Sequence, residues 1–150
     1  MLTLYISSDH RGFELKSELL QYYSKLNTIK VVGIAPNILK PDDDFVDYAI
    51  DLAKFMKNNT SSKAILICGN GVGMCIAANR YRFLRAVNSD DVDIIREARE
   101  HNDCNVLCLA ADKLTLAQSI NLIDVFLSTQ PILEERYLRR INKLGSIDNE

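Results

Sequence analysis

The sequence predicts one α/β domain over residues 1–150, a Rossmann-like three-layer sandwich with a five-stranded parallel sheet and a C-terminal helix. Three observations carry that expectation. Five short apolar runs recur along the chain, each followed by a stretch with apolar residues three and four positions apart. Strand and helix signals therefore alternate, as parallel strands require, because each must be joined to the next by a crossover. No linker, repeat or low-complexity tract interrupts the pattern, so a second domain has no place to begin. At this length a domain buries roughly two-thirds of its unfolded surface, enough for one core.

The strands are expected at 3–7 (TLYIS), 29–34 (IKVVGI), 63–68 (KAILIC), 84–88 (LRAVN) and 104–109 (CNVLCL). Between them, 13–25, 45–57, 73–82, 91–100 and 114–127 carry the apolar spacing of outer helices. A last helix is expected over about 131–143, from Pro131 to just before Gly145, following the preference for Pro at the start and Gly past the end. Asn37 to Asp44 is the one long polar loop.

Composition excludes several classes. With 47% hydrophobic and 25% charged residues the chain is globular rather than disordered. A formal charge of −2 is too balanced for the phosphate affinity of nucleic-acid binders. No apolar run reaches the roughly 18 residues that span a bilayer, and Met1 to His10 lacks the features of a signal peptide, so a cytoplasmic location is expected. Cys68, Cys75, Cys104 and Cys108 contain no Cys-x-x-Cys pair, which argues against a zinc ribbon and for reduced thiols. Cys104 and Cys108, four apart in an apparent strand, are expected to share one face as small hydrophobes.

In an open parallel sheet ligands bind beyond the carboxyl ends of the strands. Gly69, Gly71 and Gly73 alternate directly after one strand and before a helix, which suits either an anion-holding loop or a plain tight turn. The Rossmann and Walker glycine patterns are both absent. Cys68 opens that loop, where backbone N–H groups and a helix dipole can favour a thiolate; it reads equally as a buried strand-end cysteine. His10 and His101, the only histidines, fall in polar clusters at element ends and are expected to converge with Cys68 on one rim, as proton-transfer groups suited to neutral pH. Arg136 and Arg140, four apart on the last helix, form either a phosphate clamp or a solvated cationic face beside Glu134 and Glu135.

Taken together, Ser8-Asp9-His10-x-Gly12-Phe13-Glu14-Leu15-Lys16, Asp47-Tyr48-Ala49, Cys68-Gly69-Asn70-Gly71-Val72-Gly73-Met74, Ala77-Ala78-Asn79, Arg85-Ala86, His101-Asn102-Asp103-x-Asn105-Val106-Leu107 and Arg136-x-x-x-Arg140-Ile141 resemble the ribose-5-phosphate isomerase B family, which includes galactose-6-phosphate isomerase subunits. The resemblance runs over nearly the whole chain. It implies interconversion of D-ribose 5-phosphate and D-ribulose 5-phosphate through a cis-enediol, in the non-oxidative branch of the pentose phosphate pathway, with no metal or organic cofactor. It implies further that Cys68 is the base, that His101 opens the sugar ring, and that Asp9 and His10 bind near the ring oxygen and phosphate. By the same resemblance Gly69, Asn70, Gly71, Val72 and Gly73, with Asn102, hold the enediolate, and Arg136 and Arg140 hold the phosphate. A homodimer or homotetramer with the site at the subunit interface is also implied.

Three departures stand out. Asn70 replaces the usual Thr or Ser, Phe45-Val46 replaces Tyr-Pro, and Asp112 stands where an arginine reaching the phosphate is usual. Asp112 is expected either to point to solvent, leaving Arg136, Arg140 and His10 on the phosphate, or to have Lys113 supply the missing cation. The alternatives are an allose or galactose 6-phosphate isomerase of the same fold, or a non-catalytic sugar-phosphate-binding homologue.

Overall fold

A computed structural model describes residues 1–147. The elements follow one another as β1 (Leu2–Ser8), α1 (Phe13–Tyr23), β2 (Ile29–Gly33), α2 (Phe45–Met56), β3 (Lys63–Cys68) and α3 (Val72–Ala78), then β4 (Ala86–Asn88), α4 (Val92–Asn102), β5 (Val106–Ala110), α5 (Leu116–Ser128) and α6 (Glu135–Gly145). The five strands form one parallel sheet in the order β2-β1-β3-β5-β4.

Period-two alternation within each strand divides the core between the two faces of the sheet. Leu4, Ile6, Ile65, Ile67, Leu107 and Leu109 pack beneath α1, α4 and α5. Tyr5, Ala64, Leu66, Cys68, Val106 and Cys108 pack beneath α2 and α3. The central strand β3 is buried on both sides, and side chains such as Ile65 and Leu66 each contribute about 1.5–3 kcal/mol through burial. Cys68, the last residue of β3, therefore faces the α2 and α3 layer.

Four expectations are corrected. The helix after the glycine loop ends at Ala78 rather than 82, because the Asn79 side chain pairs with Ala86 as a neighbouring strand would: Oδ1 accepts its N–H at 2.8 Å and Nδ2 donates to its carbonyl at 3.0 Å. Asn105 likewise meets Arg85, so β4 begins only at Ala86. Cys104 lies ahead of β5, just after a left-handed Asp103 at φ 45°, so it packs in the α4 layer while Cys108 faces α3; the two do not share a face. Residues 131–134 run outside any helix, with Ile132 N–H on the Glu100 carbonyl at 2.9 Å, and α6 starts at Glu135 rather than Pro131. Among the described residues no helix is long and apolar enough to cross a membrane.

Candidate active site

The carboxyl edge of the sheet carries the loop 9–12 after β1, the glycine loop after β3 and residues 111–115 after β5. Asp9 is buried, and its Oδ1 accepts from the backbone N–H groups of Arg11 at 3.0 Å and Gly12 at 3.1 Å, which fixes the turn into α1. Burial pushes the Asp9 carboxyl above its ordinary value, against the pull of those two donors.

The glycine loop turns back on Cys68. The Gly71 N–H donates to Cys68 Sγ at 3.2 Å, the interaction that a sulfur anion needs. Gly71 has φ 77°, a left-handed conformation that glycine adopts without penalty, and a Cβ there would strike the Asn88 amide. Asn70 Oδ1 accepts from the Val72 N–H at 3.0 Å, leaving its NH2 group as the donor. At Gly73 the Phe45 ring approaches to 2.7 Å of where a Cβ would stand, so this aromatic covers the loop at close range. The donor at Cys68 is thus the loop's own Gly71 N–H.

His10 sits beside this loop with its ring held by Asp43, from the loop before α2. Asp43 Oδ1 lies 2.7 Å from Nδ1 and accepts the His10 backbone N–H at 3.1 Å. Arg11 forms an ion pair with Asp112 across the top of Gly69. Asp112 is itself tied down by its N–H to the Gly69 carbonyl at 3.1 Å.

His101 and Asn102 are elsewhere. They end α4, which returns antiparallel to the strands and so finishes at the amino edge of the sheet, next to the start of β5. Val106 pairs with Ala64 and Ala110 with Cys68, so the two edges are separated by four residues, roughly 13 Å along β5. The expected convergence of His101 with Cys68 on one rim does not occur within one chain. The connectivity already carried that signal, since a crossover helix must end at the opposite edge from where it began.

Around His101 a second cluster is assembled. Its ring stacks on Tyr137 with centroids 5.0 Å apart and planes at 6°. Arg136 lies 4.6 Å and Arg140 6.0 Å from the same Tyr137 ring, while Arg136 also pairs with Glu134 at 3.1 Å. Asp103 anchors the segment, clamped by Arg85 at 2.9 Å and by the buried Arg99 at 2.6 Å. Arg85 Nε also donates to the Asn102 carbonyl at 3.0 Å. A cavity of about 590 Å³ opens beside His101 and Asn102, lined also by Tyr81, Arg85, Ile94 and Leu144. Tyr137, Asp43 and Arg11 were not singled out in the sequence, because nothing in their spacing distinguishes them from ordinary surface residues.

Comparison with known proteins places these two separate clusters in a family. Residues 4–144 match the sequence pattern of the ribose/galactose isomerase family. The chain belongs to this family. A probable ribose-5-phosphate isomerase B of Mycoplasma pneumoniae is 38% identical over 147 residues, covering 98% of this chain and 95% of that protein. The ribose-5-phosphate isomerase B of Mycoplasma genitalium, solved with bound ribulose-5-phosphate, superposes with a TM-score of 0.88 at 34% identity, covering 96% of this chain and 94% of that one. The type B ribose 5-phosphate isomerase of Trypanosoma brucei gives 0.90 at 32% identity, covering 99% of each. As a ribose/galactose isomerase, then, the chain has the family's α/β fold over nearly its whole length. Its Asp112 takes neither expected arrangement: it is half-exposed but ion-paired to Arg11, while Lys113 lines a separate cavity with Asn70, Asn88 and Asp90.

Proposed function

We propose that this chain interconverts D-ribose 5-phosphate and D-ribulose 5-phosphate through a cis-enediol, at a site completed by a second copy of the chain. The observation that carries the reading is the Cys68 sulfur at the mouth of the glycine loop with the Gly71 N–H aimed at it, in a chain 34% identical to a protein solved with ribulose-5-phosphate bound.

In this reading His101 moves a proton between the anomeric hydroxyl and the ring oxygen, opening the furanose. Cys68, as thiolate, takes the proton from C2. The C–H electron pair becomes the C1–C2 double bond, and the C1 carbonyl oxygen gains a proton, giving the cis-enediol. Return of the proton to C1, with loss of the O2 hydroxyl proton, completes the ketose; no oxidant or co-reactant enters. Gly69 to Gly73 and Asn102 face the developing oxyanion, where fixed donors in a water-poor site stabilise the transition state most. Asp9 and His10 lie near the ring oxygen and phosphate, and Arg136 and Arg140 clamp the phosphate. The chemistry needs no metal or organic cofactor.

Two copies are required because His101, Arg136 and Arg140 lie at the sheet edge opposite Cys68 in one chain. The surface beside the glycine loop supports this: Val72 and Ile76, one turn apart on α3, are about half exposed, at 47% and 55%. A homodimer or homotetramer in the cytoplasm, serving the non-oxidative branch of the pentose phosphate pathway, follows from the same reading.

Assays with ribose 5-phosphate, allose 6-phosphate and galactose 6-phosphate test it. Turnover of ribose 5-phosphate is expected, falling about 10²–10⁴-fold in Cys68→Ala, the usual contribution of a positioned base. Turnover of a hexose phosphate instead would reassign the substrate. A raised Tm with ribose 5-phosphate but no turnover would make the chain a non-catalytic binder.

A further inference from the structure

The loop between β2 and α2 is polar, yet it is fixed. Ser7 Oγ donates to the Ala35 carbonyl at 3.0 Å, and the buried Lys16 Nζ donates to the carbonyls of Ile34 at 2.8 Å and Pro36 at 2.6 Å. Its far end delivers Asp43 beneath His10, with an Asp43 side chain only 6% exposed. One oxygen, Oδ1, takes both the backbone N–H and the ring Nδ1 of His10. The other, Oδ2, is buried and makes no hydrogen bond of good geometry among the described residues, although Tyr48 turns its hydroxyl toward the carboxyl. Burial works to raise the Asp43 carboxyl, and the hydrogen bonds from His10, the Tyr48 hydroxyl and the His10 charge together outweigh it, so the group sits below its ordinary value and is ionised at neutral pH.

An ionised carboxylate can only accept, so the imidazole nitrogen 2.7 Å away must carry a proton. His10 is thereby held with Nδ1–H toward the protein. Its Nε2 makes no hydrogen bond among the described residues, and its ring is about one-third exposed on the rim that holds Cys68. We propose that Asp43 is the positioning residue of His10: it fixes the ring's orientation, with Nδ1–H toward the carboxylate, so that Nε2 is presented to the substrate's phosphate or ring oxygen. The geometry by itself supports the positioning; its consequence for turnover rests on the isomerase reading.

Two measurements test it. The chain has two histidines, so His10→Asn and His101→Asn assign every imidazole resonance in ¹⁵N spectra of the full-length protein. At pH 8, His10 Nδ1 is expected to show the protonated type of signal in the wild type and the unprotonated type in Asp43→Ala, with the His101 signals unchanged as the check that the fold survives. Should Asp43→Ala not fold, Asp43→Asn replaces it, with a changed His10 spectrum expected. An unprotonated Nδ1 in the wild type, or no change in either variant, overturns the proposal. In kinetics, Asp43→Ala is expected to raise KM for ribose 5-phosphate about tenfold, and less than about twofold further in the His10→Asn background, since one contact cannot be lost twice. Full additivity overturns the proposal. If wild-type protein shows no turnover at all, the isomerase reading fails and the spectra alone decide the positioning.

Discussion

The Cys68 rim and the His101 face are built by different means. At the rim, backbone donors, glycines and buried carboxylates fix each group: Asp9 holds the β1 turn, Gly71 donates to Cys68, and Asp43 holds His10. On the His101 face the functional candidates rest on one half-buried aromatic, Tyr137, which carries His101 on one side and two arginines nearby. None of the α6 residues is buried, and Leu138 and Leu144 remain partly exposed on it. The contrast teaches that the rim groups are fixed by contacts within one chain, whereas the opposite face presents its candidates on an uncovered helix, the surface that the proposed function assigns to a second copy.

The comparison can be broken at the arginines. If the exposed face supplies the phosphate clamp, Arg136→Ala and Arg140→Ala each raise KM for ribose 5-phosphate at least about tenfold, or 1.4 kcal/mol. Lys113→Ala, at the other edge, where the side chain lines a cavity with Asn70 and Asn88, is expected to change it less than about threefold. A large penalty in Lys113→Ala with small ones in the arginine variants would move the clamp to the rim. Steady-state kinetics on the three variants decides.

A smaller effect sharpens the claim that the rim is internally fixed. Asp43 titrates below its ordinary value of 3.8, so its contribution to stability is fully present above that value and is lost as the pH falls through the lower, folded one. Wild type is therefore expected to have a higher Tm than Asp43→Asn at pH 6, and the gap is expected to shrink at pH 3. A gap that stays constant in thermal melts at both pH values would show that the charge of Asp43 contributes nothing.

How much of this was legible in the sequence follows from what each feature depends on. The strands and most helices were, because apolar periodicity is local: β3 matches its expected bounds, and α1, α2, α4 and α5 are each within a few residues of theirs. Two of the misplaced ends share one cause, side chains doing backbone work. Asn79 imitates a strand partner and stops α3, and Asn105 does the same to Arg85 ahead of β4. The candidate residues at the rim were legible as motifs. Their arrangement was not, since Asp43 and Arg11 act through partners 33 and 101 positions away. His101 was recognisable as a candidate but was assigned to the wrong edge, because its position depends on the direction of α4 rather than on any neighbouring residue.

The central claim, that one working site draws Cys68 from one copy and His101 from another, is tested most directly by mixing two inactive variants. Cys68→Ala and His101→Asn chains, unfolded together and refolded at equal concentration, form mixed dimers in which one site holds both intact residues and the other holds neither. In a two-fold symmetric dimer with random pairing, half the dimers are mixed and half their sites are intact, so about a quarter of wild-type isomerase activity is expected to return. Activity no higher than the sum of the two separate variants would contradict the account and put both residues to work within a single chain.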